Sequence, residues 1–157
     1  MRLSMRAEYG VRAMVVLALK FNRGLIPLKE IARKERISYQ YLEQIFPLLK
    51  KAELVDSVRG RHGGYRLARE PADVSVGDII NAVEGPIAPT RCVARGHDHG
   101  QSNCCKFPED CVTRKVWTKL RDHIVDFVDN ISLEDMVNWS RERAETKGQK
   151  EVKTAGR

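Results

Sequence analysis

All four cysteines of the chain fall within twenty positions, Cys92 to Cys111. The segment reads Cys92-Val-Ala-Arg-Gly-His-Asp-His-Gly-Gln-Ser-Asn-Cys104-Cys105-Lys-Phe-Pro-Glu-Asp-Cys111, with His97 and His99 after the first thiol. Thiolates and imidazoles are the donors of zinc and iron–sulfur sites, and a ligand set must converge on one centre. Such clustering therefore predicts metal binding. Two disulfides are the other use of four cysteines, but the adjacency of Cys104 and Cys105 argues against them. Residues 1–10 have no apolar signal segment or cleavage site, so the sequence predicts a cytoplasmic protein with its thiols kept reduced.

The elements around this segment suggest what it is wired to. Residues 1–70 carry 15 Lys/Arg against 7 Asp/Glu, a net of +8, which leaves a net of −1 for residues 71–157. A basic N-terminal half on a nearly neutral remainder is the electrostatic footprint of phosphate binding. Apolar residues make up 42% of the chain, enough for a core, yet no run of 18 apolar residues could span a bilayer.

Within the basic half, Tyr9, Ala13, Val16 and Leu17 follow helical spacing, so a buried first helix is expected over 8–21, ended by Asn22-Arg23-Gly24. Pro27 opens a short helix over 28–35, with Leu28, Ile31 and Ala32 inward. After a turn at Arg36-Ile37, Ser38 is placed to cap a third helix over 39–52. Short helix, tight turn, capped helix is a helix-turn-helix pattern. The third helix would enter the major groove. Ser38 and Tyr41 suit phosphate oxygens, Gln40 and Gln44 suit adenine edges, and Glu43 can accept from cytosine. Pro47 predicts a bend or an early end to this helix.

Two strand-like runs, 54–58 and 65–68, flank Arg59-Gly-Arg-His-Gly-Gly64 and predict a hairpin. Its loop would be a wing, with Arg59, Arg61 and His62 as donors toward phosphate or the minor groove. Residues 75–84 predict a helix with Val76, Ile79, Ile80 and Val83 inward, ended by Gly85-Pro86. Beyond the cysteine segment, Val116, Trp117, Leu120, Ile124, Phe127, Val128 and Ile131 form an apolar stripe along a helix of about 18 residues. The N-terminal core is too small to cover it, so a twofold homodimer is expected, matching a palindromic operator. Ser132-Leu-Glu-Asp135 begins a last helix with Leu133, Met136, Val137 and Trp139.

The fold class is thus mostly α with a small β-hairpin wing. The expected division is a winged helix-turn-helix domain over 1–85, a cysteine-rich loop over 86–111, dimerisation helices over 112–140 and a disordered tail over 141–157. No nucleophile–base pair or phosphate loop stands out, and an enzyme is not expected.

Several runs carry a family resemblance. They are Met1-Arg-Leu-Ser4, Tyr9-Gly10 with Arg12-Ala13, Ile37-Ser38 with Tyr41-Leu-Glu-Gln44, and Leu54-Val55 through Ser57-Val-Arg-Gly60 to Gly63-Gly-Tyr65. Val76 to Glu84, Arg91-Cys92, Cys111-Val-Thr113, Val116-Trp117 and Asn130-Ile-Ser-Leu133 continue it. Over roughly residues 1–139 the chain resembles the IscR/NsrR/CymR family of bacterial winged-helix transcription regulators, with IscR the nearest in pattern. The resemblance implies a dimeric regulator, a repressor ahead of an activator, with Ser38, Gln40, Tyr41, Glu43, Gln44 and Arg59 at the DNA.

In IscR- and NsrR-like members, three loop cysteines hold an iron–sulfur cluster, the later two with five residues between them. Cys92, Cys105 and Cys111 match that spacing here. The resemblance thus implies an iron–sulfur cofactor, 2Fe–2S before 4Fe–4S. The IscR pattern has a histidine three residues after the last cysteine, where this chain has Arg114, which cannot ligate. NsrR-like members use an acidic residue in the partner's first helix, and Glu8 stands at the matching place; Cys104, His97 and His99 remain as alternatives. Glu84-Gly-Pro-Ile-Ala-Pro is similar to CymR-like members, which lack the cysteines and act with a partner enzyme. Zinc or a thiol switch in the loop is a further alternative.

Overall fold

The computed structural model describes residues 3–94 and 111–155, with side-chain surroundings described as far as residue 146. Among the described residues, six α-helices, two 3-10 turns and one hairpin make the fold. Helix α1 spans Met5–Leu19 and starts three residues before the expected 8. The reason is a local cap: the Ser4 side chain accepts from the Arg6 and Ala7 amides at 3.1 and 3.4 Å. Ala13, Met14, Val16 and Leu17 are buried on it, while Tyr9 is half-buried. After Lys20 the chain turns through Asn22 (φ 62°) and Gly24 (φ 96°).

Helices α2 (Leu28–Glu35) and α3 (Tyr39–Lys51) are joined through Arg36, whose left-handed backbone (φ 54°, ψ 42°) makes the sharp turn. The inner face of α3, Leu42, Ile45, Phe46 and Leu49, is fully buried. Of the bend or early end expected at Pro47, the early end does not occur; α3 runs on to Lys51. Pro47 and Glu43 are both exposed, on the face away from the core, where the loss of the amide donor to the Glu43 carbonyl is least costly.

Strands β1 (Val55–Val58) and β2 (Gly64–Leu67) pair antiparallel, with Val55 opposite Leu67 and Val58 opposite Gly64. Ile26 joins as a bridge, exchanging amide–carbonyl bonds of 2.8 and 2.9 Å with Tyr65. A Cβ on Gly64 would lie 2.6 Å from the Ile26 carbonyl carbon and oxygen, and one on Gly63 would lie 2.3 Å from the Val58 carbonyl oxygen. The Gly-Gly pair is there because two backbones meet at contact distance.

Helix α4 (Val76–Glu84) opens with a capping box between Ser75 and Asp78 and closes at Gly85 (φ 86°). It packs Ile79, Ile80 and Val83 into the core, with Val83 and Ile79 over Gly10 of α1. Helices α5 (Val112–Asp129) and α6 (Leu133–Ala155) complete the chain. Ser132 and Asp135 cap α6 reciprocally at 2.8 and 3.1 Å, and the Ser132 hydroxyl and amide hold the Asp135 carboxyl below its ordinary pKa. Backbone bonds from Val76 to Ile131 and from Leu133 to Val74 lay the two caps side by side. Leu133 and Val137 of α6 are buried. The helix continues through most of the polar stretch 141–157 expected as a tail. Helix α5 has no buried residue; Val116 and Phe127 of its apolar stripe are 56% and 67% exposed.

The hairpin geometry makes a sharp prediction. Gly64→Ala should cost about 2–3 kcal/mol in denaturant unfolding, because backbone must move to admit the methyl group. Gly10→Ala should be neutral or slightly stabilising, since its Cβ would find Val83 at an ordinary 3.4 Å.

Candidate nucleic-acid interface and thiol centre

The first turns of α3 present their polar side chains outward. Ser38 occupies the N-cap position but its hydroxyl makes no capping hydrogen bond, which leaves it available to an external acceptor. Gln40, Glu43 and Gln44 are exposed. Tyr41 is different: it is half-buried, its ring set edge-on against Tyr9 at 5.4 Å and 84°. Its ring therefore braces α3 on α1, a packing role the sequence reading did not assign.

Two further side chains join this surface. Tyr39 is exposed, and the Glu43 carboxylate, followed by local desolvation, raises its phenol above the ordinary value. It stays protonated, a hydroxyl donor, at neutral pH. Arg12 pairs with Glu8 at 3.5 Å and with Glu35 at 3.1 Å, lies over the Tyr9 ring at 5.5 Å, and donates to the Glu35 carbonyl. It thus fixes the end of α2 just before the left-handed turn at Arg36. In the sequence Arg12 stands out only as part of the Tyr9-Gly10 with Arg12-Ala13 pattern and not as a link to Glu35, because its acceptor lies 23 residues away.

The wing tip stands beside this helix. Gly60 has φ 124°, and the Gly63 amide donates to the Gly60 carbonyl at 3.0 Å, closing the turn. Arg59, Arg61 and His62 are exposed around it. Lys50, in the last turn of α3, donates to the Ser57 hydroxyl at 2.6 Å, and Phe46 meets Tyr65 at 4.4 Å between ring centres. Helix and wing are therefore held as one surface. Ser38, Gln40, Glu43, Gln44 and the three wing residues are all exposed, on two elements linked through Lys50–Ser57 and Phe46–Tyr65.

The two described thiols, Cys92 and Cys111, both lie against α5. Cys92 sits in a 3-10 turn, Arg91–Val93, half-buried, with its Sγ 3.1 Å from the Thr90 Oγ1. Arg121 of α5 donates to the Val93 carbonyl at 3.0 Å and steadies that guanidinium on Asp122. Cys111 is the N-cap of α5, its Sγ 3.2 Å from the Thr113 Oγ1. Cys104, Cys105, His97 and His99 lie outside the described residues. Glu8 is exposed and ion-paired with Arg12. Among the described residues, no three His, Cys, Asp or Glu side chains lie together as a metal site.

Two thiols with hydroxyl neighbours nevertheless fit a thiolate-held metal group. Cys111 stands at the N-terminus of an 18-residue helix, where the aligned peptide dipoles favour negative charge. Arg121 was missed at the sequence level; an arginine in a helical run does not reveal a carbonyl acceptor 28 positions earlier.

Removing the carboxylate in Glu43→Gln should lower the Tyr39 pKa toward its ordinary value, read from the phenolate ultraviolet band. An unchanged titration would mean that Glu43 does not govern Tyr39.

Residues 3–139 match the Rrf2 family, described as an iron-dependent transcriptional regulator. The HTH-type transcriptional regulator IscR of Escherichia coli is 38% identical over 138 residues, covering 88% of this chain and 81% of that protein. Among solved structures, IscR of T. potens is 39% identical with a TM-score of 0.72, covering 91% of this chain and 90% of that one. CymR, the global cysteine regulator of B. subtilis, is 34% identical with a TM-score of 0.70, covering 88% and 98%. No helix among the described residues is long and apolar enough to cross a membrane. The polar helix face, the wing beside it and these matches lead to one conclusion: the chain belongs to the Rrf2 family of transcriptional regulators, as a DNA-binding winged-helix protein and not an enzyme.

Proposed function

We propose that the protein is a cytoplasmic repressor that binds a double-stranded operator as a homodimer and senses iron–sulfur, redox or nitric oxide status. The observation that carries the DNA half is the surface shared by α3 and the wing. Its polar side chains point to solvent while Leu42, Ile45, Phe46 and Leu49 behind them are fully buried. In this reading Gln40, Glu43 and Gln44 read bases in the major groove. Ser38 and the Tyr41 hydroxyl take phosphates, and Arg59, Arg61 and His62 engage the backbone or minor groove. A second copy would cover the apolar stripe of α5 and set the spacing of two recognition helices.

The sensing half rests on the position of the thiols. Arg121 ties the Cys92 turn to α5 and Cys111 caps that same helix, so whatever joins the two sulfurs also constrains α5. The ligand set we propose is Cys92, Cys105 and Cys111, with Glu8 of a second copy as the fourth. As a ligand, Glu8 would give up its ion pair with Arg12, which would remain paired with Glu35 at the end of α2. When bound, a 2Fe–2S cluster supplies a metal centre open to oxidation and nitrosylation.

Operator binding measured across a salt series tests the DNA half. Arg59→Ala should weaken binding to operator and random duplex alike and reduce the salt slope by about one. Gln44→Ala should cost about 1–3 kcal/mol on the operator and little on random duplex. Equal losses on both would remove base reading from Gln44. Anaerobic reconstitution tests the other half. The wild type should turn brown, Cys92→Ser, Cys105→Ser and Cys111→Ser should stay pale, and Glu8→Ala should have an altered visible spectrum. A colourless zinc-loaded protein would replace the cluster with zinc. Equal operator affinity of loaded and metal-free protein at one salt concentration would sink the sensing role.

A further inference from the structure

Both described cysteines carry the same unexplained neighbour. The Thr90 Oγ1 lies 3.1 Å from the Cys92 Sγ, and the Thr113 Oγ1 lies 3.2 Å from the Cys111 Sγ. The pairs are built differently. Thr90 precedes its cysteine by two residues, in extended backbone leading into the 3-10 turn. Thr113 follows its cysteine by two residues, inside the first turn of α5. A single local motif does not produce both contacts.

In a thiol–hydroxyl pair either atom can donate. A sulfur that ligates a metal is a thiolate and has no proton, so only the hydroxyl can then donate. The geometry that delivers it is braced. The Val93 amide donates to the Thr90 carbonyl at 3.2 Å, closing the turn, and Arg121 holds the Val93 carbonyl at 3.0 Å. Threonine is branched at Cβ, so few χ1 rotamers compete with the one observed.

We propose that Thr90 and Thr113 are positioning residues whose hydroxyls donate to the sulfurs of Cys92 and Cys111 and thereby raise the reduction potential of the metal group those thiolates hold. The inference rests on the cluster reading above. Its physical basis is that the reduced group carries more negative charge on its sulfurs. A donor aimed at those atoms therefore stabilises the reduced state more than the oxidised one. The sequence alone does not suggest this, because threonine near cysteine is compatible with any hydroxyl orientation.

The test uses the full chain, reconstituted anaerobically, as wild type and as Thr90→Val, Thr113→Val, the double variant and the two Thr→Ser variants. Valine keeps the shape and removes the donor. Each valine variant should favour the oxidised form on the order of tenfold, a fall of about 59 mV for a one-electron couple. The double variant should fall further, and serine should restore the wild-type potential. Resonance Raman separates donation from shape: the shift of the iron–sulfur stretching bands between water and heavy water should shrink in the valine variants and persist in the serine ones. Iron and sulfide bound to the wild type, with potentials and isotope shifts unchanged across loaded variants, would overturn this inference alone. A wild type that takes up no iron and sulfide would overturn the cluster reading and this inference with it.

Discussion

The polar surface formed by α3 and the wing depends on the burial of one helix face. Leu42, Ile45, Phe46 and Leu49 of α3 are fully enclosed, each contributing roughly 1.5–3 kcal/mol by leaving water. Because those four point inward, Gln40, Glu43 and Gln44 have no choice but to point outward. Phe46 does a second job, stacking its ring at a tilt on Tyr65 of β2. The same core residue therefore orients the helix and holds the hairpin beside it. Ile26 completes the join by bonding its backbone to Tyr65, which is possible only because Gly64 leaves room for the approach.

The C-terminal half follows the opposite rule. Helix α5 is amphipathic, yet none of its residues is fully buried within the chain; Val128 packs partly against the core, while Val116 and Phe127 of its apolar stripe are exposed. What α5 does hold firmly is small in area and polar in kind: the carbonyl of the Cys92 turn through Arg121, and Cys111 at its own first turn. Packing strength is concentrated in the DNA-facing half. The thiol-bearing half is connected to it through the tight seat of α4 on α1 and the paired caps at Ser75 and Ser132. A few directed hydrogen bonds carry the geometry where apolar burial is scarce.

Arginines supply several of these directed links. Arg12 gathers Glu8, Glu35 and the face of Tyr9, and Arg121 reaches across 28 positions to a backbone oxygen. These guanidiniums are only partly exposed, so water and salt screen their charge incompletely, and a planar fork fixes orientation as well as distance. Exposed pairs such as Arg66 with Asp56 add little by comparison.

Local rules in the sequence determined the elements. The helices over 28–35 and 75–84, the hairpin around Gly60 to Gly64 and the 18-residue α5 follow from periodicity, caps and glycine, which act over a few residues. The donor chemistry of Cys92 and Cys111 was equally legible, since four thiols in twenty positions are visible without coordinates. Tertiary structure decided the rest. It turned Tyr41 inward onto Tyr9, carried α3 past Pro47 with that residue on the exposed face, and left the Ser38 hydroxyl without a capping bond. It also set Arg121 on the Cys92 turn and a threonine hydroxyl on each of the two sulfurs. Those outcomes depend on which distant backbones pack together and on rotamers chosen within that packing, and no spacing along the chain encodes either one.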